Sequence, residues 1–145
     1  MRYATLDDLK EIYRFMQAHE ELQHVRQDKL KKRIEASQCI YQDDVAITFQ
    51  QYKKRTRVGD LDIPAGSIML HQIVNGKQFS GAGGRVFKQF VEEIAQPSGG
   101  DLYLSVRREN TVACQFYERQ GMTVAGALAW KNGTILGLVY RLVKS

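Results

Sequence analysis

The feature that most constrains the fold is an apolar strand followed by a glycine-rich loop and an amphipathic helix. Residues 67–74 read Ser-Ile-Met-Leu-His-Gln-Ile-Val, an almost continuous apolar run typical of a central strand buried on both faces. The loop Ser80-Gly81-Ala82-Gly83-Gly84 follows, and apolar residues then recur at helical spacing from Arg85 to Ala95. Loop glycines let the backbone approach a ligand, and free N–H groups at a helix start bind phosphate. The pattern predicts either a pyrophosphate site or an ordinary flexible turn.

The rest of the chain alternates between helix and strand patterns. Helical spacing of apolar residues predicts helices over 9–16, 28–36 and 110–120. Short β-rich runs predict strands ending near Tyr3-Ala4, over 39–41 and 45–52, over 102–106, and over 123–130 and 134–143. We expect the basic residues 53–57 to continue the strand that begins at Val45. The elements together predict a mixed α/β fold with an antiparallel-rich sheet.

Length and composition limit what this fold can be. The 145 residues, 43% of them hydrophobic, predict one domain over 1–145 with a proper core. No apolar run approaches the roughly 20 residues that span a bilayer, and the N-terminus has no apolar signal core, so we expect a cytoplasmic protein with no membrane partner. Cys39 and Cys114 lie in no Cys/His cluster, so we expect no metal site.

The positive charge is concentrated in two places. The formal net charge is +5, from 21 Lys and Arg against 16 Asp and Glu. Eight of the basic residues form two clusters, which are Lys29, Lys31, Lys32 and Arg33, and Lys53, Lys54, Arg55 and Arg57. The clusters are either solvated faces or sites for an anionic partner, such as a nucleotide cofactor, a nucleic acid or an acidic protein.

Two motifs stand in a fixed order along the chain. Residues 78–83, Gln-Phe-Ser-Gly-Ala-Gly, match Q/R-x-x-G-x-G/A after an apolar strand, and residues 110–121 contain Asn-x-x-Ala followed by Phe-Tyr-Glu-Arg-x-Gly. The chain thereby resembles the GNAT superfamily of acyl-CoA-dependent N-acyltransferases over essentially its whole length. The resemblance implies a mostly antiparallel central sheet with helices on both faces, splayed between its fourth and fifth strands.

The resemblance also implies a cofactor and its binding residues. Acetyl-CoA or another acyl-CoA is the expected co-substrate. Amides of the glycine loop are expected to hold the pyrophosphate, main-chain groups of the preceding strand to bond the pantetheine arm, and Asn110 to bond that arm from the other side. The alternative for Asn110 is a plain helix N-cap. The implied binding residues are Gln72, Ile73, Val74, Gln78, Phe79, Ser80, Gly81, Ala82, Gly83, Gly84, Asn110 and Tyr117.

Two residues are candidates for the chemistry. Tyr117 falls on the family tyrosine whose hydroxyl approaches the CoA sulfur, which implies a general acid; the alternative is a buried Phe116-Tyr117 core pair. His71 lies on the central strand, and an imidazole with an ordinary pKa near 6.5 suits deprotonation of an ammonium. A satisfied core histidine is the alternative. The loop His19-Glu20-Glu21 either binds a cationic substrate or is simply solvated.

Three functions remain open at this stage. The first is N-acyl transfer to a primary amine of a small molecule or a protein. The second is a nucleic-acid-associated or base-modifying protein, with Lys53, Lys54, Arg55 and Arg57 as the contact surface; this reading is less favoured. The third is an acyl-CoA-binding module without catalysis. A homodimer through edge strands near Val139 is a further option.

Overall fold

The computed structural model describes residues 1–77 and 80–144. Gln78 and Phe79 of the predicted binding loop therefore lie outside the described residues. The chain divides into two compact units, the first comprising Met1–Gln50 and His71–Phe90 and the second Gln51–Leu70 and Val91–Ser145. The prediction of a single domain stays a prediction.

Within the described residues, four helices and eight strands alternate along the chain, as a mixed α/β fold predicts. The helices are α1 (Leu9–Gln17), α2 (Gln27–Glu35), α3 (Ala82–Phe90) and α4 (Thr111–Arg119). The strands are β1 (Cys39–Gln42), β2 (Val45–Gln51), β3 (Thr56–Val58), β4 (Leu61–Ile63), β5 (Ile68–Asn75), β6 (Leu102–Arg107), β7 (Thr123–Trp130) and β8 (Ile135–Leu142). Short 3-10 turns cover Leu6–Asp8, Glu20–Leu22 and Gln96–Ser98, and a π turn covers Val91–Ala95.

The first unit packs α1 and α2 against a hairpin. In α1 the predicted stripe places Ile12 and Met16 in the core with no exposed surface, and α2 buries Leu30 and Ile34 while its charged residues remain largely exposed. The hairpin of β1 and β2 is antiparallel, with Cys39 opposite Thr48. Its turn places Asp43 and Asp44 at positive φ, a conformation that aspartate tolerates better than most residues. The predicted helices and hairpin of this unit are confirmed.

The strands of the second unit pair mostly in antiparallel fashion, with one parallel pairing. Ile68–Leu70 of β5 pair in parallel with Leu102–Leu104 of β6. β6 pairs antiparallel with β8, and β8 pairs antiparallel with β7. A core of Ile63, Met69, Tyr103 and Val139 lies beneath these strands. The mixed, mostly antiparallel α/β fold class is confirmed.

Two boundary predictions were wrong. The basic residues 53–57 do not continue β2, which ends at Gln51; the chain bends and starts the separate β3–β4 hairpin. This hairpin is tied to β7, since the Asp60 carboxylate accepts a hydrogen bond from Ala127 N at 2.9 Å. The helix predicted from Arg85 begins at Ala82, because two of the loop glycines form its first turn.

Two further predictions, on the burial of β5 and on the edge of the sheet, were also wrong. β5 is buried from Ile68 to Leu70, but His71, Gln72 and Ile73 are half-buried, so the strand is not covered on both faces throughout. Val139 lies on β8 between β6 and β7, so it is on no edge strand of the described residues, and β7 occupies that edge. A homodimer stays a prediction, without Val139 as its edge.

Candidate active site

The half of β5 in the first unit carries four of the predicted residues. The N–H of Gln72 donates to the Thr48 hydroxyl at 3.0 Å, and that hydroxyl bonds the side-chain oxygen of Gln72. Val74 is buried and Ile73 is half-buried. The amide of Gln72 is therefore used within the protein, and pantetheine binding by the main chain of Ile73 and Val74 stays a prediction.

His71 is held and kept neutral by its surroundings. Its Nε2 lies 2.8 Å from Oε1 of Gln50, so the ring is held by a hydrogen bond to this side chain. Burial, reinforced by the positive charges of Arg33 and Lys29, lowers the pKa of His71 to about 4. The imidazole is thus uncharged at neutral pH and is a weak base. Its role as the general base stays a prediction.

The glycine loop forms the start of α3. Gly81 has a positive φ of 78°, which glycine adopts without strain. The Ser80 hydroxyl donates to the Lys77 carbonyl at 2.7 Å and accepts from Ala82 N at 3.3 Å, so it caps the helix. Gly83 and Gly84 follow in the first turn, where N–H groups have no helical acceptor. The described part of the loop therefore has the geometry that suits a phosphate.

Arg85 is a residue that the sequence analysis missed. Its Nη1 lies 3.5 Å from where a Cβ would stand on Gly81, so the guanidinium covers the start of the loop. Within residues 1–77 and 80–144 it has no carboxylate partner. The sequence signal for this cation is its position, because Arg85 directly follows the last glycine of the loop. The family resemblance by itself implies the loop amides as the main phosphate ligands and does not point to this cation.

The chain before the loop is fixed by the β1–β2 turn and by α1. Gly76 N donates to the Asp44 carbonyl at 2.8 Å, and the Lys77 ammonium lies 3.0 Å from the Asp44 carboxylate. A Cβ on Gly76 would stand 2.5 Å from the ring of Phe15, so only glycine allows this close approach. The backbone that leads from β5 into the loop is therefore fixed in position at Gly76 and Lys77.

An open depression of about 530 Å³ adjoins this point within the first unit. Phe15 and Gly76 contribute to its lining, with His19, Glu20 and Glu21 of the loop after α1. Nδ1 of His19 lies 3.8 Å from the Glu21 carboxylate. The depression combines an aromatic surface with negative charge, which are features suited to a cationic group.

The second unit positions the other two predicted residues on α4. The side-chain oxygen of Asn110 accepts from Ala113 N at 3.2 Å, so Asn110 is the N-cap of the helix. Gly121 ends the helix with a φ of 91°, as its position predicts. Pantetheine binding by Asn110 stays a prediction.

Tyr117 lies on the buried face of α4. Only 7% of its surface is exposed, and its ring packs against Phe116 at 5.5 Å and Tyr140 at 6.1 Å between centroids. Burial, with the neighbouring Cys114, raises the pKa of the Tyr117 phenol above its usual range. The hydroxyl is protonated at neutral pH, as a proton donor must be.

The cluster after β2 is exposed. Lys53, Lys54 and Arg55 make no ion pair within residues 1–77 and 80–144, whereas Arg57 pairs with Asp62 at 3.2 Å. Among the described residues, no group of three or more His, Cys, Asp or Glu side chains converges on a point. No helix of the described ranges combines the length and apolar character needed to cross a membrane.

Solved structures share this fold. A GNAT-family acetyltransferase from Bacillus cereus matches with a TM-score of 0.71 and 15% identity, covering 99% of this chain and 95% of that one. Ard1 from Thermoplasma volcanium gives 0.79 and 14%, covering 99% and 96%. YncA from Salmonella typhimurium, solved with its cofactor acetyl-CoA, gives 0.70 and 16%, covering 99% and 92%. No curated protein matches in sequence. The chain thus has the GNAT acetyltransferase fold.

Sequence comparison agrees with the fold. The model of the family described as FR47-like protein matches residues 47–131, which is more than half of the chain. The chain belongs to this GNAT-related family.

Proposed function

We propose that the protein is an acyl-CoA-dependent N-acetyltransferase that transfers an acetyl group directly to a primary amine. The amine nitrogen attacks the thioester carbonyl, a C–N bond forms, and the C–S bond breaks. The CoA thiolate leaves and takes up a proton, and the nitrogen loses one. No covalent enzyme intermediate is needed.

The observation that carries this proposal is the glycine loop at the start of α3. First-turn amides and the guanidinium of Arg85, which pairs with no carboxylate of residues 1–77 and 80–144, are the donors that a pyrophosphate requires. Acetyl-CoA contains such a group, and YncA, which shares the fold, was solved with this cofactor. We propose that the amides from Ser80 to Gly84 and the Arg85 side chain hold the pyrophosphate.

Tyr117 is our proposed general acid. Its buried phenol is protonated at neutral pH and is therefore able to donate to the departing thiolate. His71 is our proposed acceptor of the amine proton, directly or through water. The low pKa keeps the imidazole in its proton-accepting form at neutral pH; as a weak base, it would pass the proton on to solvent.

The depression beside β5 is our proposed entry for the acceptor. Glu20 and Glu21 are both exposed on it and carry negative charge towards solvent. Such a field raises the local concentration of a cationic amine. Both a small amine and a protein amine meet this requirement.

Cofactor binding is tested by titration calorimetry with acetyl-CoA. A charge-assisted hydrogen bond contributes about 1.5–3 kcal/mol, so Arg85→Glu should raise Kd by at least about 10-fold. Lys88→Glu is the matched control, because Lys88 is exposed on the same helix further from the loop. Equal Kd values for the two variants would refute the assigned pyrophosphate contact, and no binding by the wild type would refute the function.

Catalysis is tested by thiol release from acetyl-CoA over a panel of amines and amine-bearing peptides. Removing a general acid costs typically 10²–10⁴-fold, so Tyr117→Phe should lower kcat by about that factor while Kd for acetyl-CoA stays unchanged. Undiminished turnover by Tyr117→Phe would remove Tyr117 from the chemistry. Cofactor binding without turnover on any amine would favour an acyl-CoA-binding module.

One observation supports the nucleic-acid alternative. Lys53, Lys54 and Arg55 are three successive exposed cations in a turn joined to a fixed hairpin. If they bind phosphates, the affinity for DNA or RNA should fall steeply with salt, and reversal of the three charges should abolish binding. Salt-independent or absent binding would eliminate this alternative.

A further inference from the structure

A second tyrosine lies behind Tyr117 in the core of the second unit. Tyr140 of β8 is 1% exposed, and its hydroxyl donates to Oε2 of Glu118 at 2.7 Å. A buried phenol needs an acceptor, and a charged acceptor makes the bond roughly twice as strong as a neutral one. Glu118 is exposed on the surface of α4, so the hydroxyl of the buried Tyr140 ring is anchored by a carboxylate at the protein surface.

The two tyrosine rings are in contact. Tyr117 and Tyr140 have their centroids 6.1 Å apart at an interplanar angle of 47°, and Phe116 meets Tyr117 edge-on at 5.5 Å and 77°. Phe116 and Tyr117 are neighbours on the same helix. Tyr140 comes from another element, so it fixes the Tyr117 ring relative to the sheet.

Glu118 and Tyr117 are adjacent on α4. The Tyr140–Glu118 hydrogen bond and the Tyr140–Tyr117 ring contact therefore link the same two elements, α4 and β8, at neighbouring residues. The path runs from Tyr117 along the helix to Glu118, across to the Tyr140 hydroxyl, and back through the two rings. Cys114, one turn earlier on the helix, lies beside the same hydroxyl and completes its surroundings. Rotation of the Tyr117 ring is thereby opposed by a partner that is itself anchored.

We propose that Tyr140 and Glu118 are positioning residues that set the orientation of the Tyr117 hydroxyl. This proposal rests on the proposed acyltransferase function and on Tyr117 as its general acid. Proton donation to a thiolate depends strongly on geometry, and a displacement of about 1 Å costs up to about 10²-fold in rate. A hydrogen bond that served stability alone would leave turnover by the folded protein unchanged.

The test compares two tyrosine-to-phenylalanine variants in the thiol-release assay. Tyr140→Phe keeps the ring and removes the hydrogen bond, so kcat should fall by about 10-fold while KM and Kd for acetyl-CoA stay at wild-type values. Tyr103→Phe is the matched control. Tyr103 is also a buried tyrosine of this unit, and its ring lies beside the guanidinium of Arg141, 5.9 Å from the ring centroid.

A second pair of variants tests the same bond from its exposed end. Glu118→Gln keeps an oxygen acceptor and should retain most of kcat, whereas Glu118→Leu removes the acceptor and should match Tyr140→Phe. The double variant Tyr140→Phe with Glu118→Leu should be no slower than either single one, because both remove the same bond. Glu118 lies at the surface, so these variants fold even if a core substitution does not.

The outcomes separate this proposal from the function on which it rests. Wild-type kcat in Tyr140→Phe or in Glu118→Leu, with Tyr117→Phe impaired, would overturn the positioning role alone. An equal fall of kcat in Tyr103→Phe would also overturn it, since the loss would then be general. Failure of the wild type to bind acetyl-CoA or to release CoA would overturn both proposals.

Discussion

The neutral state of His71 predicts a specific dependence of stability on pH. In the folded protein the pKa of His71 is lowered to about 4, first by burial and then by the charges of Arg33 and Lys29. In the unfolded chain the imidazole returns to its ordinary value near 6.5. Between these two values the unfolded state binds a proton that the folded state does not. The contribution of His71 to stability should therefore fall as the pH decreases below about 6.5 and level off below about 4.

The size of this effect follows from linkage. A depression of the pKa from 6.5 to about 4 predicts that His71 alone lowers the free energy of unfolding by about 2 kcal/mol between pH 7.5 and pH 5. The full effect, reached below pH 4, is about 3 kcal/mol. Above pH 7 both states are neutral and the contribution of His71 vanishes.

Urea unfolding at pH 7.5 and pH 5 measures this directly. His71→Gln keeps an amide able to bond Gln50 and cannot titrate, so its loss of stability between the two pH values should be smaller than that of the wild type by about 2 kcal/mol. His24→Gln, at an exposed position, is the control and should keep the wild-type loss. An identical loss in the wild type and His71→Gln would show that His71 is not buried in its neutral form.

Two further substitutions test local geometry. Gly76→Ala would place a methyl group 2.5 Å from the Phe15 ring, so it should destabilise the protein by about 1–3 kcal/mol in urea unfolding, and adding Phe15→Leu should restore much of that loss; additive losses would contradict the contact. Asn110→Ala should cost about 1 kcal/mol because α4 loses its N-cap, and Asn110→Ser should not. Weaker acetyl-CoA binding in both Asn110 variants would support the predicted contact between Asn110 and pantetheine. Unchanged binding would leave the N-cap as the only role of Asn110.

The regular elements were predictable because local signals agreed with the packing. The stripe of α1 buries Ile12 and Met16, and the dipeptide Asn132-Gly133 lies between β7 and β8 as its turn preference indicates. The short hairpin of β3 and β4 was missed because three-residue strands carry almost no periodicity. The basic residues 53–57 directly follow the β-rich sequence of β2, and nothing in their composition indicates the bend that begins at Lys53.

The candidate site was predictable to a different degree in each part. The glycine loop and Tyr117 stand in linear motifs, and their sequence neighbours set their local structure. Arg85 was missed because its proximity to Gly81 depends on where α3 begins, and glycines are poor indicators of a helix start. The Tyr140–Glu118 bond joins residues 22 positions apart, and no periodic pattern reports such a pairing.

The central claim is that an acetyl group moves from acetyl-CoA to an amine. Incubation of the purified protein with acetyl-CoA and an amine panel, with released CoA and acetylated amine quantified in the same sample, measures this transfer. We predict one acetylated amine for each CoA released, with both products reduced together in Tyr117→Phe. Release of CoA without acetylated amine, or no release with any acceptor, would contradict the claim.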